Sequence, residues 1–179
     1  MRILIIFGST EGHTRHLAGF MRERLTGAGH DVETAEAGQG APSPEAFDRV
    51  ILAGSLHVGR YQAALVDYAR RWHGALAARP SAFVSVSLSA AGENPDDWAG
   101  LEECLAKFVH ETQWTPTATH QAAGAIRYSQ YDFIKRLTMK TIAAKRGRQT
   151  VTSQDYDLTD YAALGAFVDE FVGRPAAAG

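Results

Sequence analysis

Short apolar blocks alternate along this chain with longer stretches in which apolar residues recur every three or four positions. The run Ile3 to Phe7 has no polar alternation, so it reads as a strand buried on both faces, as in a parallel sheet covered by helices. Leu17, Phe20, Met21 and Leu25 then recur at helical spacing between about Gly12 and Ala28, and Gly27 with Gly29 supplies a stop. Asp31 to Ala37 is a weaker strand pattern and suits a sheet edge. Pro42 and Pro44 mark a loop with a short helix before the third strand, Phe47 to Ala53, which runs into Gly54-Ser55. A helix from about Gln62 to Ala77 follows, with Leu65, Tyr68, Ala69, Trp72 and Leu76 on one side. Ala82 to Leu88 is the fourth strand, a helix reaching about Thr112 turns Leu101, Cys104, Leu105 and Phe108 inward, and about Thr117 to Ala125 is the fifth strand. Thr159-Asp160 can cap a last helix with a buried stripe of Leu164, Phe167, Val168 and Phe171, after which Arg174 to Gly179 reads as a frayed tail.

Five strands alternating with helices predict a single doubly wound α/β domain over residues 1–179. Ligands of such sheets bind beyond the strand carboxyl ends, where the strand order reverses. Three loops are expected to converge there, Ser9 to Thr14, Ser55 to Tyr61 and Ser87 to Trp98. In the first, Gly8 and Gly12 permit a tight turn, Ser9, Thr10 and Thr14 offer hydroxyls, and the helix amides that follow favour an anion. It lacks the Lys of a nucleotide-triphosphate loop and the G-x-G-x-x-G of a dinucleotide fold. The pattern left, Ser9-Thr10-Glu11-Gly12-His13-Thr14, resembles the FMN-phosphate loop of flavodoxins. A Ser/Thr-rich turn is also an ordinary helix cap, and from these residues alone both readings stand.

Composition narrows the setting. No apolar run approaches the length of a membrane-spanning helix, and the chain starts directly in a strand, so a cytoplasmic protein, at most peripheral to a membrane, is expected. The lone Cys104 has no disulfide partner in the chain and is expected to be a buried packing residue, and the seven histidines have no metal-site spacing. A net charge of −2 conceals a division: from Gly124 to Thr152 seven basic residues stand against Asp132 alone, a balance of +6, which leaves −8 for the remainder.

That basic stretch lies where a compact domain needs only a short connection, yet the chain spends roughly thirty residues there. From Tyr131 to Arg146 a helical plot sets Phe133, Ile134, Leu137, Thr141 and Ala144 on one arc and Lys135, Arg136, Lys140 and Arg146 on the other, with Met139 and Lys145 off the pattern. Gln113-Trp-Thr-Pro116, Ala123-Gly-Ala-Ile-Arg-Tyr-Ser-Gln-Tyr-Asp132, Met139-Lys-Thr-Ile142 and Leu158-Thr-Asp160 resemble the quinone-dependent protoporphyrinogen IX dehydrogenases of the flavodoxin-like class, the HemG family. Asp48-Arg-Val50, Ser55 to Tyr61 and Pro80-Ser-Ala-Phe83 fit it too. The resemblance runs from the first strand to the last helix.

It implies a flavodoxin-like five-stranded parallel sheet with a basic helical insert at about 124–152, non-covalent FMN, oxidation of protoporphyrinogen IX to protoporphyrin IX in haem synthesis, and electron delivery to a membrane quinone. Ser9, Thr10, Glu11, Gly12, His13 and Thr14 would then hold the FMN phosphate, with the Glu11 carboxylate turned to solvent. Ser55, His57, Val58, Gly59 and Tyr61, with Ser89, Ala90, Ala91 and Gly92, would flank the flavin ring. His57 is a weak candidate for proton exchange, against the alternative of a surface histidine. Arg127, Tyr128 and Tyr131, with Lys135, Arg136 and Lys140, are the substrate or membrane candidates. The alternative for Tyr128 is packing against the sheet, and for Arg127 an ion pair. A dianionic tetrapyrrole and an anionic membrane surface would both be drawn to this segment. Nucleic acid is disfavoured by the overall negative balance and the absence of a recognised binding module in the sequence. A homo-oligomer is left open. The rival functions are a flavodoxin-type electron carrier and an NAD(P)H:quinone reductase, because a fold does not fix a function.

Overall fold

Alternate residues of β1 (Arg2–Gly8) enter two different cores, which is why its sequence is apolar at consecutive positions. Ile3, Ile5 and Phe7 join one cluster, and Leu4 and Ile6 the other. The computed structural model describes residues 1–38, 40–126 and 156–174. Their elements are β1, α1 (His13–Gly27), β2 (Asp31–Glu36), β3 (Arg49–Ser55), α2 (Ala63–Arg71), α3 (His73–Ala77), β4 (Ser81–Ser87), α4 (Pro95–Thr112), β5 (Ala118–Ala123), the two-residue strands β6 (Ala125–Ile126) and β7 (Tyr156–Asp157), and α5 (Tyr161–Gly173). Short 3-10 turns cover Pro44–Ala46 and Ser89–Ala91.

The sheet has five strands in the order β2-β1-β3-β4-β5, all parallel, with the weakly patterned β2 at an edge as expected. On one face Leu17, Met21 and Leu25 of α1 pack with Leu164, Val168 and Phe171 of α5. On the other, Leu65 and Tyr68 of α2, Leu76 of α3 and Phe108 of α4 pack with Phe83 and Trp114. Paired glycines, Gly8 of β1 opposite Gly54 of β3, let α2 approach the sheet. A Cβ on Gly54 would lie 2.5 Å from Leu65 Cδ2, and one on Gly8 would lie 2.9 Å from Gln62 Oε1.

Four expectations are corrected here. The helix over Gln62 to Ala77 is two helices, divided at Trp72, next to which His73 Nδ1 donates to the Arg70 carbonyl at 2.8 Å. The fifth strand stops at Ala123, and Gly124 changes its pairing: the Gly124 amide donates to the Ser87 carbonyl, while β6 beyond it pairs antiparallel with β7. Cys104 is half-buried, beneath Gly59 of the second loop. Arg174 is tied rather than frayed, donating to Glu170 Oε1 at 2.6 Å while its carbonyl accepts from buried Arg49. The cap at the start of α5 is as read, the Asp160 carboxylate accepting from the Ala163 amide at 2.9 Å. Among the described residues no helix is long and apolar enough to cross a membrane.

Candidate functional site

The strand order reverses between β1 and β3, and above their carboxyl ends lies a cleft of about 610 Å³. Its walls include Ser9, Glu11, His13 and Thr14 from the first loop, Ser55, His57, Val58 and Gly59 from the second, and Ser89 from the third. Leu56, Val86, Ser87, Leu88, Gly124 and Ala125 complete it; Leu56, Ser87 and Leu88 belong to the predicted loops, but none of the six was named as a candidate site residue. All three predicted loops converge.

The first loop is closed by its own hydroxyl, Ser9 Oγ accepting from the Gly12 amide at 2.9 Å, with Gly12 at φ 88 in the left-handed region that glycine tolerates. Gly12 also occupies the N-cap of α1, which has no side-chain cap, whereas α4 and α5 are capped by Asn94 and Asp160. Among the described residues, then, no side-chain oxygen caps the first amides of α1, which suits them to an anion. Thr14 is 1% exposed and lines the cleft, yet its hydroxyl has no hydrogen-bond partner among the described residues. A buried orphan hydroxyl beside an uncapped helix terminus is suited to a phosphate oxygen. Glu11 is half-buried and lines the cleft.

In the second loop the His57 amide donates to the Arg60 carbonyl and the Arg60 amide to the His57 carbonyl, closing a two-residue turn. Val58 at φ 49 and Gly59 at φ 74 give it a left-handed backbone. A β-branched residue is strained there, and Val58 is also fully exposed, so the turn holds an apolar side chain out from the protein at the cleft rim. His57 is exposed beside it. Tyr61 is set apart from these residues: it is 8% exposed, donates to Ser85 Oγ at 2.9 Å and stacks edge-on against Phe83 and Phe108, and burial pushes its phenol up to about 12. In the third loop Ser87 Oγ accepts from the Ala90 amide at 3.2 Å, and Ala91 and Gly92 continue the turn. Trp98 Nε1 donates to the Gly92 carbonyl at 2.9 Å, which closes this loop.

Two connections were missing from the sequence reading. The Ser55 amide donates to Gln62 Oε1 at 3.2 Å, which fixes the amide orientation, and Gln62 Nε2 donates to Thr10 Oγ1 at 3.0 Å and to Ser55 Oγ. Gln62 thereby ties the first loop to the second, although in sequence it marks only the start of a helix. At the other side of the first loop, His13 Nε2 lies 2.9 Å from Thr159 Oγ1 and 3.7 Å from Asp157 Oδ1. Thr159-Asp160 was legible as a helix cap, but a contact 146 residues from His13 leaves no local signal. Arg127, Tyr128, Tyr131, Lys135, Arg136 and Lys140 lie outside the described residues.

The family described as the flavodoxin domain matches residues 4–153. The chain belongs to the flavodoxin-domain family. Within it, this flavodoxin-domain protein is 30% identical to the protoporphyrinogen IX dehydrogenase [quinone] of Escherichia coli K12 over 172 residues, covering 95% of this chain and 94% of that protein. It is 28% identical to the protein of the same name from Leishmania major, over 98% of this chain and 77% of the relative. Among solved structures, oxidised flavodoxin 1 from Bacillus cereus superposes with a TM-score of 0.57 at 13% identity, over 98% of this chain and 99% of its own. A short-chain flavodoxin associated with a PDU bacterial microcompartment gives 0.59 at 10% identity, over 96% and 97%. These two establish the shared fold. The family relation makes the chain a flavoprotein oxidoreductase.

For this flavodoxin-domain protein, Gln62→Leu is expected to weaken flavin binding about ten-fold, since it removes hydrogen bonds between two cleft loops and leaves the Ser55 amide without its acceptor. Titration of flavin fluorescence against the purified variant measures this. An affinity within two-fold of the wild type would show the tie to be dispensable.

Proposed function

We propose that this protein oxidises protoporphyrinogen IX to protoporphyrin IX, with FMN held in the cleft and a membrane quinone as electron acceptor, as a step of haem synthesis. The observation that carries the cofactor half is the Thr14 hydroxyl, which has no partner among the described residues, beside a start of α1 that no described side chain caps, a cradle for a phosphomonoester in a loop whose own six residues include no lysine or arginine. The relatives named for this reaction carry the substrate half.

FMN, when bound, supplies two-electron chemistry between a reduced substrate and a quinone. The chain's part is placement. The first loop and the amides of α1 would hold the phosphate, the tie through Gln62 would keep that loop in register with the second, and Val58 would lie against the ring. Ser55, His57, Gly59 and Ser89 line the same wall, with Thr10, Gly12, Ala90, Ala91 and Gly92 shaping the loops that carry it. The buried Tyr61 would act from behind, by packing. The substrate and an anionic membrane surface are assigned to the basic stretch 124–152 on its composition.

Purified protein incubated anaerobically with FMN, a quinone analogue and protoporphyrinogen IX should produce porphyrin fluorescence well above a protein-free control. No quinone-dependent gain would defeat the proposal. Rapid bleaching of bound flavin by NAD(P)H in a stopped-flow trace would instead favour a reductase.

A further inference from the structure

A phosphate loop with no lysine or arginine still has to meet a ligand that is mostly a dianion at neutral pH, and the only ionisable groups its six residues carry are Glu11 and His13. His13 is half-buried in the cleft wall. Its surroundings fix its proton. Thr159 Oγ1 lies 2.9 Å from the Ala123 carbonyl and also meets the Asp157 carboxylate, both of which can only accept, so the threonine's single hydroxyl proton goes to one of them. Toward the ring, 2.9 Å away, Thr159 can then only accept, so His13 is protonated at Nε2 and Nδ1 is left as the nitrogen that gains a proton when the ring becomes cationic.

The charged and titratable groups around this ring are distinct by element. Asp157 of β7 stands 3.7 Å from Nε2, and its carboxylate accepts from the Thr159 amide at 2.9 Å and the Tyr161 hydroxyl of α5 at 2.5 Å. Burial alone would raise the Asp157 carboxyl, but these donors and the His13 ring outweigh it and hold it below the usual carboxylate range. On α1, His16 has its ring 6.4 Å from that of His13, and Glu11 lies in the loop before it. Burial lowers the His13 pKa in the cofactor-free protein, against the pull of Asp157, with His16 lowering it further and the Ala123 carbonyl raising it. The positive end of α1 also disfavours a cation at its first residue. A phosphate dianion bound beside the ring would favour the cation by Coulomb attraction, and the Asp157 carboxylate, 3.7 Å from Nε2, would share the imidazolium charge.

We propose that His13 is the residue by which this cleft prefers a phosphomonoester to an uncharged flavin, its imidazole taking up one proton as the phosphate binds and donating from Nδ1 to it, with Thr159 and Asp157 as positioning residues behind it. No electron or covalent bond moves; a solvent proton goes to Nδ1. This rests on the flavin-site reading and adds a proton to it. By linkage, a group that binds more protons in the complex makes affinity rise as pH falls through its pKa in the complex, until its pKa in the unbound protein is reached.

The test is calorimetric titration of the cofactor-free protein with FMN and with riboflavin at pH 7.5, in two buffers of different ionisation heat. The phosphate's own second ionisation, at about pH 6, contributes little there. The wild type is expected to take up protons with FMN and none with riboflavin. His13→Gln, which can still donate to Thr159, should bind riboflavin normally, lose the proton uptake, and lose on the order of ten-fold of its preference for FMN over riboflavin. Thr159→Val, with the histidine intact, should lower the preference in the same direction. FMN binding without proton uptake in the wild type, or uptake and preference unchanged in His13→Gln, overturns the proposal while leaving the flavin site standing. Failure of both flavins to bind the wild type overturns the site itself.

Discussion

Thr14→Val is expected to stabilise the cofactor-free protein and to weaken FMN binding about 10–100-fold, two effects of opposite sign from one hydroxyl. In the unliganded cleft that hydroxyl is buried and unpartnered among the described residues, which costs about 1–3 kcal/mol of desolvation. Valine keeps the branched shape without the buried polar atom. A gain of about 1 kcal/mol in a chain of 179 residues shifts the melting temperature upward by about 2–4 °C. With FMN present the comparison inverts, because a ligand that binds the folded state stabilises it by mass action and the wild type binds it more tightly. Scanning calorimetry of both proteins, with and without FMN, reads both halves at once. A variant that melts lower than the wild type without FMN, and is stabilised as much by FMN, would mean that the hydroxyl is satisfied within the protein and plays no part in the site.

The sequence made the frame of this site legible and its cross-connections illegible, for a physical reason. A strand buried on both faces and a helix with one buried stripe each write their burial into consecutive residues, so β1, α1 and the three converging loops could be read in order. A hydrogen bond between loops leaves no periodic trace. Gln62 spans 52 residues to reach Thr10, and its position in sequence resembles any helix start. Tyr61 misleads for a related reason: it follows Gly59 and Arg60 in a loop, but the chain has already turned inward there, and its ring enters the aromatic cluster of Phe83 and Phe108. The helix break at Trp72 sits beside a side-chain-to-backbone hydrogen bond, His73 to the Arg70 carbonyl, and apolar spacing does not register such a contact. Val58 shows the converse case. A valine next to glycine between two loop residues carries no special signal, and only the left-handed backbone reveals that strain is spent to hold it at the rim.

Trp114→Ala is expected to cost about 3–5 kcal/mol of folding stability while leaving the cleft's chemistry intact in the molecules that remain folded. Trp114 is fully buried, its ring meets Phe83 and Phe108 edge-on at 6.2 and 6.1 Å, and its Nε1 donates to Ser81 Oγ at 3.0 Å. Ser81 opens β4 and Ser87 closes it beside the cleft, so the tryptophan anchors the sheet about 20 Å from the site at the rise of a parallel strand. It follows Gln113, whose left-handed backbone ends α4 and whose amide donates to the Val109 carbonyl at 2.9 Å. The Gln113-Trp-Thr-Pro116 motif therefore supports the resemblance through the architecture it builds, as buried Arg49 of Asp48-Arg-Val50 does by donating to the Phe171 carbonyl at 3.1 Å near the end of α5. Such a loss is a large part of the ~5–15 kcal/mol that holds a typical domain together. Denaturant unfolding should report it, and the FMN affinity of the folded fraction should stay within two-fold of the wild type. Trp114→Phe, which keeps the edge-on packing and drops only the indole donor, should recover most of the stability. If Trp114→Ala instead folds normally and loses FMN, the tryptophan belongs to the site and the division between anchoring and binding ends of this sheet is wrong.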